Sequence, residues 1–152
     1  MQKLKIIKAK KLDVDLIYNL IGEMASFEKR PEDFLCSKNE LEYWLFDKKI
    51  AKVMLAKLAD EVIGYALYYP TFGSFSSKGK IYLEDIFIVE KYRGKGYGKA
   101  LFDAVKKDAL KNGYSEIEWS CLDWNKSAIE FYNHIGAKKE TGRVHFGLDL
   151  KK

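Results

Sequence analysis

Apolar and polar residues change their spacing along the chain, and each spacing predicts one kind of element. Strict alternation over Lys3–Ala9 predicts a first strand. Apolar residues then recur at helical intervals, which predicts a helix that begins at Asp13 as N-cap and ends near Glu28. Ser37 with Glu40 has the spacing of a capping box, so a short second helix is expected there.

The middle of the chain is rich in β-branched and aromatic residues. Ile50–Ala59 and Val62–Phe72 are separated by two acidic residues and predict an antiparallel hairpin. A further strand, Lys80–Val89, enters a glycine-rich turn, and a helix follows to about Lys111. Gly113 is expected to end that helix.

The last third predicts a strand, a helix and a strand. The first strand is expected at Ser115–Cys121, the helix from Asn125 or Ser127 to Gly136, and the last strand at Val144–Leu150. Helices interleaved with mostly antiparallel strands predict an α/β fold whose mixed sheet is flanked by about four helices. A length of 152 residues predicts one domain over 1–152.

Composition and charge narrow the function classes. The chain is 47% hydrophobic and 32% charged, as is typical of a globular protein, and no apolar run reaches the roughly 20 residues of a membrane helix. We therefore expect a cytoplasmic protein without a membrane partner. The net charge of +5 is spread along the chain and mixed with acids, so nucleic-acid binding is not expected.

Cysteine and histidine do not form a metal-binding pattern. Cys36 and Cys121 belong to no C-x-x-C pair, and His134 and His145 lack metal-ligand spacing, so no metal is expected. Cys121 alternates with apolar residues of the expected strand and is interpreted as a small core residue.

The glycine-rich turn after the strand Lys80–Val89 has the composition of a phosphate-binding loop. Arg93, Lys95 and Lys99 surround three alternating glycines, and the following helix offers unpaired N–H groups and the positive end of its dipole. A dinucleotide fingerprint would need its third glycine where Lys99 stands, and a P-loop would need a glycine at Arg93. What remains is Arg93-x-x-Gly96-x-Gly98, which a plain surface turn could also contain.

A second pattern lies downstream of this turn. The chain carries Leu122-Asp123-Trp124-Asn125, then Ala128-Ile129-Glu130-Phe131-Tyr132, and then Gly136-Ala137. Together with Tyr82-Leu83-Glu84-Asp85 and the turn, these segments resemble the GNAT acyltransferases, and within them the spermidine/spermine (diamine) acetyltransferases. The resemblance is strong from about Val62 to Ala137.

The resemblance implies the GNAT fold and acetyl-CoA as cofactor. The pantetheine arm is expected to lie along the main chain of Ile86, Phe87 and Ile88, and the pyrophosphate on the loop. The implied loop residues are Arg93, Gly94, Lys95, Gly96, Tyr97, Gly98 and Lys99, and those of the next helix are Asn125, Ser127, Ala128 and Tyr132.

The implied reaction is attack of a primary amine on the acetyl thioester, with Glu84 and Tyr132 as catalytic residues. An alkylammonium has a pKa near 10.4 and an unperturbed carboxylate near 4.3, so direct proton transfer is uphill by roughly 8 kcal/mol. Glu84 is therefore expected to bind the ammonium and to accept its proton through water. In a regular strand Asp85 would face the other way, so it is interpreted as a structural or rim acid.

Tyr132 is expected to donate a proton to the departing thiolate, because a phenol near pKa 10 and a thiol near 8.5 are close enough for a positioned hydrogen bond to act. Helical spacing alone would instead place Tyr132 in the core beside Phe131. Asn125 is expected to cap its helix and to bind the pantetheine.

Substrate contacts are expected from Phe27 and Glu28, which match an aromatic-acid pair of the diamine acetyltransferases, and from Glu84, Glu118 and Ser120. A solvated helix end explains Phe27 and Glu28 equally well. After Ala137 the chain departs from the family pattern.

The function that this sequence predicts is acetyl transfer to a small-molecule amine, first of all a polyamine or diamine. Acetylation of an amino acid such as a lysine analogue, or of a protein amine, remains an alternative, as does a non-catalytic acyl-CoA-binding module. A homodimer is implied by the family resemblance alone.

Overall fold

The computed structural model describes residues 2–151. They form two compact units, one that ends at Ser120 and one that begins at Cys121. The expectation of a single domain stays a prediction.

One five-stranded sheet, in the order β1-β2-β3-β4-β5, lies in the first unit. Its strands are β1 (Leu4–Lys8), β2 (Lys52–Leu58), β3 (Glu61–Gly73), β4 (Lys78–Ile88) and β5 (Ile117–Glu118). Neighbours from β1 to β4 are antiparallel, whereas β4 and β5 are parallel. The predicted hairpin of β2 and β3 and the mixed, mostly antiparallel sheet are confirmed.

The α-helices are α1 (Val14–Phe27), α2 (Lys38–Glu42), α3 (Tyr97–Lys111) and α4 (Lys126–His134). Ser37 accepts a hydrogen bond from the Glu40 amide at 3.4 Å, as predicted, and α2 continues directly into a π-helical segment at 43–47. Asp13 is the N-cap residue of α1, as predicted. Its carboxylate accepts a hydrogen bond from the Lys10 amide at 2.7 Å and accepts none from the amides of the helix.

The two faces of the sheet are covered by different helices. On one face, Ile17 and Leu20 of α1 pack with Tyr65, Leu67 and Phe87 of the sheet, and we call this the α1 face. α3 packs on β2, β3 and β4, where Leu101 and Val105 are fully buried. This opposite side is the α3 face.

Two predicted strands differ from the structure. The strand expected at Ser115–Cys121 is reduced to β5, because β4 offers it pairing partners only at Ile81 and Tyr82. As a result Cys121 lies outside the sheet and is exposed, not a core residue.

Val144–Leu150 forms no strand, so that prediction is wrong as well. A strand needs a neighbour for its main-chain hydrogen bonds, and no strand of the described chain pairs with this segment. Its four large apolar side chains are between 78% and 89% exposed.

Candidate active site

The glycine-rich turn joins β4 to α3 with a left-handed backbone. Gly94 has a φ of 75° and Gly96, the N-cap of α3, has a φ of 82°. Only glycine adopts such angles without strain, which is why the turn contains it at these two positions. A Cβ atom added at Gly94 or Gly96 would have no atom within 4 Å. The main chain of the turn is therefore accessible to a ligand at these two positions.

Six consecutive amides of this turn have no main-chain acceptor among the described residues. Among residues 2–151, no backbone carbonyl accepts a hydrogen bond from the amides of 94–99, and the next amide, Ala100, bonds to the Gly96 carbonyl at 3.1 Å. Together with the positive end of α3, such amides form an anion site. The residues present therefore fit the pyrophosphate of a coenzyme A.

The basic side chains of the turn differ in their surroundings. The Lys99 ammonium pairs with Asp103 one turn along α3 at 2.8 Å, and the exposed Lys95 ammonium lies 5.9 Å from the Tyr92 ring. Arg93 folds back: its Nε donates to the Ile88 carbonyl at 2.7 Å, and its guanidinium lies 3.9 Å from the centre of the Phe27 ring. Burial lowers the pKa of Arg93 from its ordinary value.

β4 has an open edge beyond its short contact with β5. Within the described chain, its pairing with β5 involves only Ile81 and Tyr82. On the side that faces β3, the Val89 amide donates a hydrogen bond to the Ile63 carbonyl at 2.8 Å. In an antiparallel ladder, only every second residue of a strand bonds to the same neighbour, so Phe87 of β4 and Val89, which follows this strand, bond to β3. The main-chain groups of Ile86 and Ile88 therefore point to the open edge.

The main-chain groups of Phe87 point in the opposite direction to those of Ile86 and Ile88. Its main-chain groups face β3, where it pairs with Tyr65, and its ring belongs to the core of the α1 face. An extended ligand arm at this edge would meet main-chain groups of Ile86 and Ile88. The Ile88 carbonyl is already used by Arg93.

β4 contains one residue more than β3 at Glu84. Leu67 of β3 lies opposite Asp85, and the next β3 residue, Tyr68, lies opposite Leu83. Glu84 is therefore the extra residue of a β-bulge, a device that redirects side chains.

The bulge brings two carboxylates to the same face. The Tyr65 hydroxyl donates to Asp85 at 2.9 Å, and the Tyr69 hydroxyl donates to Glu84 at 2.8 Å. Both tyrosines pack with the core of the α1 face. The prediction that Asp85 faces away from Glu84 is wrong, because it assumed a regular strand.

The surroundings of Asp85 raise the pKa of its carboxyl. Burial raises its pKa, the Tyr65 hydrogen bond lowers it, and the charges of Glu84 and Glu28 raise it again, to about 7. Burial followed by the hydrogen bond to Glu84 raises the pKa of Tyr69 well above its ordinary value, so this phenol stays a donor. Asp85 therefore titrates near neutrality beside a second acid.

The end of α1 lies close to this acidic pair. Phe27 is the last residue of α1, and Glu28, which follows it, is near enough for its charge to raise the pKa of Asp85. The sequence-predicted residues Glu28 and Glu84 are thus brought to one acidic patch with Asp85. We call these three carboxylates the acidic patch.

Glu118 of β5 and Ser120, which follows this strand, contact residues outside the acidic patch. The Lys80 ammonium lies 3.0 Å from Glu118, and the hydroxyls of Tyr82 and Ser120 are 3.1 Å apart. The Tyr82 ring in turn lies 5.6 Å from that of Tyr69, the donor to Glu84. Ser120 is therefore linked to the acidic patch through two tyrosines, whereas Glu118 is neutralised by a lysine.

The second unit contains the remaining predicted residues. The Asn125 side chain accepts hydrogen bonds from the Ala128 amide at 3.2 Å and from the Ser127 hydroxyl at 3.1 Å. The predicted cap of α4 by Asn125 is confirmed. Tyr132 lies within α4, with its ring 5.5 Å from that of Phe131.

Sequence reasoning missed Tyr65 and Tyr69, the donors to the two carboxylates. Both belong to β3, a strand so rich in aromatic residues that no single tyrosine stands out in the sequence. Their spacing of four residues does place them on one face of a strand, and this was the only available signal.

Two kinds of feature, metal-binding clusters and membrane-spanning helices, are absent from the described part of the chain. Among residues 2–151, no cluster of three or more His, Cys, Asp or Glu side chains could hold a metal ion. No helix in the same range is both long and apolar enough to cross a membrane.

A family model for the acetyltransferase (GNAT) family matches residues 15–137. The chain belongs to this family. It is an acetyl-transferring enzyme, and the predicted resemblance to GNAT acyltransferases is confirmed.

Individual relatives extend this result. The chain is 47% identical over 88 residues to L-ornithine N5-acetyltransferase of Arabidopsis thaliana, an alignment that spans 57% of this chain and only 39% of that protein. It is 32% identical over 150 residues to thialysine N-epsilon-acetyltransferase of Mus musculus, spanning 93% of this chain and 88% of the relative. A spermine/spermidine N(1)-acetyltransferase of Bacillus subtilis is 30% identical over 79 residues, which are 50% of this chain and 52% of that one. The similarity to the diamine branch is thus confirmed.

Solved structures support the fold. An aminoglycoside acetyltransferase from an uncultured soil metagenomic sample superimposes with a TM-score of 0.82 at 22% identity, covering 97% of each chain. The predicted GNAT fold is confirmed.

Proposed function

We propose that the enzyme transfers the acetyl group of acetyl-CoA to a primary amine of a small aliphatic molecule with two or more amino groups. The acidic patch carries this proposal. Within residues 2–151, neither the exposed Glu84 nor the partly buried Asp85 forms an ion pair with a lysine or arginine, although each accepts a hydrogen bond from a tyrosine of β3. Carboxylates so placed are stabilised by a cationic ligand, and an alkylammonium supplies that charge.

Two kinds of substrate meet this description. Polyamines and diamines carry only positive charges, whereas amino acids with a side-chain amine also carry a carboxylate. A relative named for thialysine matches 93% of this chain, and the relative with 47% identity is named for L-ornithine, which supports the amino-acid candidate. The acidic patch by itself supports the polyamine candidate.

The cofactor site rests on the glycine-rich turn and the open edge of β4. The amides of 94–99 would hold the pyrophosphate, with Lys95 and Lys99 adding charge, and Ile86 and Ile88 would pair with the pantetheine arm. As the family resemblance implies, Asn125, Ser127 and Ala128 are proposed to contact that arm as well. When bound, the thioester would supply the activated acetyl group.

Glu84 and Tyr132 have distinct proposed roles. Glu84 binds the substrate ammonium and takes its proton through an ordered water, which frees the lone pair that forms the new C–N bond. Tyr132 donates a proton to the sulfur as the C–S bond breaks. Asp85 contributes a second negative charge near the amine, and Phe27 its apolar contact.

A panel of amines tests this function. Purified enzyme with acetyl-CoA is mixed in turn with spermidine, putrescine, L-ornithine, thialysine and a lysine-containing peptide, and release of free thiol is followed. Turnover with at least one small diamine supports the proposal. Turnover with the peptide alone would replace it by protein acetylation, and CoA binding without any turnover would replace it by an acyl-CoA-binding module.

Two substitutions test the roles of the residues. Glu84→Gln should lower kcat/KM about 100-fold, in the range of general acid-base catalysis, whereas Glu23→Gln, an exposed position on α1, should change it less than twofold. Tyr132→Phe should lower kcat at least tenfold while the calorimetric Kd for CoA changes less than threefold, with Tyr43→Phe as control. If Tyr132→Phe kept the wild-type kcat, the proposed role of Tyr132 as proton donor would be contradicted.

The proposed assembly rests on the family resemblance alone, whereas the proposed location and the lack of nucleic-acid binding rest on composition and charge. We propose a cytoplasmic homodimer that does not bind nucleic acid. Light scattering coupled to size exclusion should give twice the mass of 17.6 kDa, and a monomer at all concentrations would contradict the dimer.

A further inference from the structure

Arg93 stands apart from the other cations of the glycine-rich turn. Its guanidinium lies between two aromatic rings, 3.9 Å from the centre of Phe27 and 5.1 Å from that of Phe87, and its Nε is bonded to the Ile88 carbonyl at 2.7 Å. Lys95, two residues later, is exposed. To reach a pyrophosphate, Arg93 would have to give up both the hydrogen bond and the ring contacts.

The groups that hold Arg93 come from two elements. Phe27 is the last residue of α1, and Ile88 is the last residue of β4. A cation at the end of α1 also faces the negative end of that helix's dipole. Arg93 therefore connects the end of α1 to the strand whose open edge is the proposed cofactor site.

The end of α1 carries one member of the acidic patch. Glu28 directly follows Phe27, whose ring lies 6.3 Å from that of Phe87 on β4. The Phe87 ring lies 6.4 Å from that of Tyr65, the hydrogen-bond donor to Asp85. The turn at this end is closed by main-chain hydrogen bonds from Glu28 to Met24 at 2.9 Å and from Lys29 to Ser26 at 3.1 Å. Displacement of Phe27 would therefore move Glu28 relative to Asp85.

From this geometry we propose that Arg93 is a positioning residue for the amine site, which fixes the end of α1, and with it Glu28, against the cofactor strand. The inference rests on the proposed function, since it assigns the acidic patch to the amine. It changes the role expected from the sequence motif, in which Arg93 serves the pyrophosphate. The planar guanidinium is needed because an ammonium can replace the hydrogen bond but not the stacking.

Matched substitutions within the turn separate the two roles. Arg93→Met should raise KM for the amine about tenfold while the calorimetric Kd for CoA changes less than threefold. Lys95→Met should give the opposite result, with weaker CoA binding and an unchanged KM for the amine. Arg93→Lys should resemble Arg93→Met, because it keeps the charge and loses the stack.

Phe27→Leu tests the same contact from the other side. It should raise KM for the amine to a similar extent, and the double variant with Arg93→Met should be no worse than either single variant. Additive effects would show that the two residues act separately and would overturn the proposal.

Amide hydrogen exchange measures how firmly Arg93 holds the end of α1, and it does not require enzyme turnover. In Arg93→Met, the amides of 28–30 should exchange at least tenfold faster than in the wild type, while those in the middle of α1 and α3 keep their protection. This readout remains valid if the wild type acetylates no amine, a result that would defeat the proposed function alone. Unchanged exchange at 28–30, or a loss of CoA affinity with an unchanged KM for the amine, would overturn the role of Arg93.

Discussion

Two aspartates on opposite faces of the sheet have the same kind of tyrosine partner and opposite electrostatics. On the α3 face, Asp108 accepts from the Tyr68 hydroxyl at 2.8 Å, and on the α1 face Asp85 accepts from the Tyr65 hydroxyl at 2.9 Å. Both tyrosines belong to β3. The difference lies in what else surrounds each carboxylate.

Asp108 is surrounded by cations. Its carboxylate oxygens lie 3.4 Å from the Lys52 ammonium and 3.6 Å from that of Lys8. Burial would raise its pKa, but the Tyr68 hydrogen bond and the two lysines together lower it below its ordinary value. Asp108 is thus an ionised anchor between α3 and the sheet.

Asp85 has two carboxylates as neighbours and a pKa near 7. The protein itself compensates the charge of Asp108, whereas it leaves the charge of Asp85 for a ligand to compensate. A buried acid without a cation is costly to folding, and under the proposed function that cost is offset when the amine binds. The comparison therefore contrasts a structural acid with one proposed to serve the substrate.

The pH dependence of stability should have opposite signs at the two acids, and this is the largest expected effect. The pKa of Asp85 rises from 3.8 to about 7 on folding, so its contribution is present below about pH 4 and is lost as the pH rises through 7. The loss amounts to at most about 4 kcal/mol. Urea unfolding from pH 4 to 8 should show this decline in the wild type and a flatter curve in Asp85→Asn.

Asp108→Asn provides the control for the sign. Since the pKa of Asp108 is lowered in the folded protein, its contribution is present above its ordinary pKa and is lost only as the pH falls through the folded value. Above pH 7 the two variants should therefore differ from the wild type with opposite signs: Asp85→Asn should be the more stable protein and Asp108→Asn the less stable one. Parallel curves for Asp85→Asn and the wild type would contradict the assignment.

Removal of the Asp108 side chain should be the next largest effect. Asp108→Ala leaves the buried Tyr68 hydroxyl without its acceptor and two lysines without their counter-ion, which should lower the free energy of unfolding by about 3 kcal/mol. The exposed pair of Asp103 with Lys99 offers a comparison on the same helix, and Asp103→Asn should change stability by less than about 0.5 kcal/mol. Equal losses in the two variants would show that burial of Asp108 is unimportant.

The affinity for the amine should depend on pH through Asp85 alone. A substrate amine stays protonated below pH 9, whereas Asp85 ionises near 7, so the calorimetric Kd for the amine should fall about tenfold from pH 6 to pH 8. In Asp85→Asn the Kd should be weaker and almost independent of pH. A pH-dependent Kd in that variant would assign the titration to another group.

The smallest effects are expected from the two tyrosines. Tyr65→Phe and Tyr68→Phe should each lower the free energy of unfolding by about 1 kcal/mol, the usual value of one hydrogen bond. The two variants should differ in the pH dependence of amine binding. Tyr65→Phe should move the midpoint of the Asp85-dependent amine binding upward, because its hydrogen bond lowers the pKa of Asp85. A downward movement would contradict this role.

Local signals in the sequence predicted most of the fold. Gly96 and Gly113 mark positions with a left-handed backbone, and Asn125 carries a cap whose hydrogen bond is local, so each could be found from its immediate neighbours. The hairpin of β2 and β3 follows from two β-rich runs with a short connection. These features depend on interactions between residues close in the sequence.

The parts of the candidate site that sequence reasoning missed depend on distant partners. The bulge at Glu84 is a property of the β3–β4 pairing, and alternation along β4 alone gave the wrong face for Asp85. The position of Arg93 is set by Phe27, far away along the chain. Val144–Leu150 has the alternation of a strand but lacks a pairing partner within the described chain.

The bulge on β4 has a consequence for how such a pocket could arise. Deletion of residue 84 would restore regular alternation while leaving Asp85, Ile86 and Phe87 on the sides they now occupy, so only one acid would be lost. We therefore expect a single inserted codon to add a third carboxylate to a patch of two while the pairing of β3 and β4 on either side is kept. Natural variation in strand length at this point offers a direct route to altered preference between singly and multiply charged acceptors.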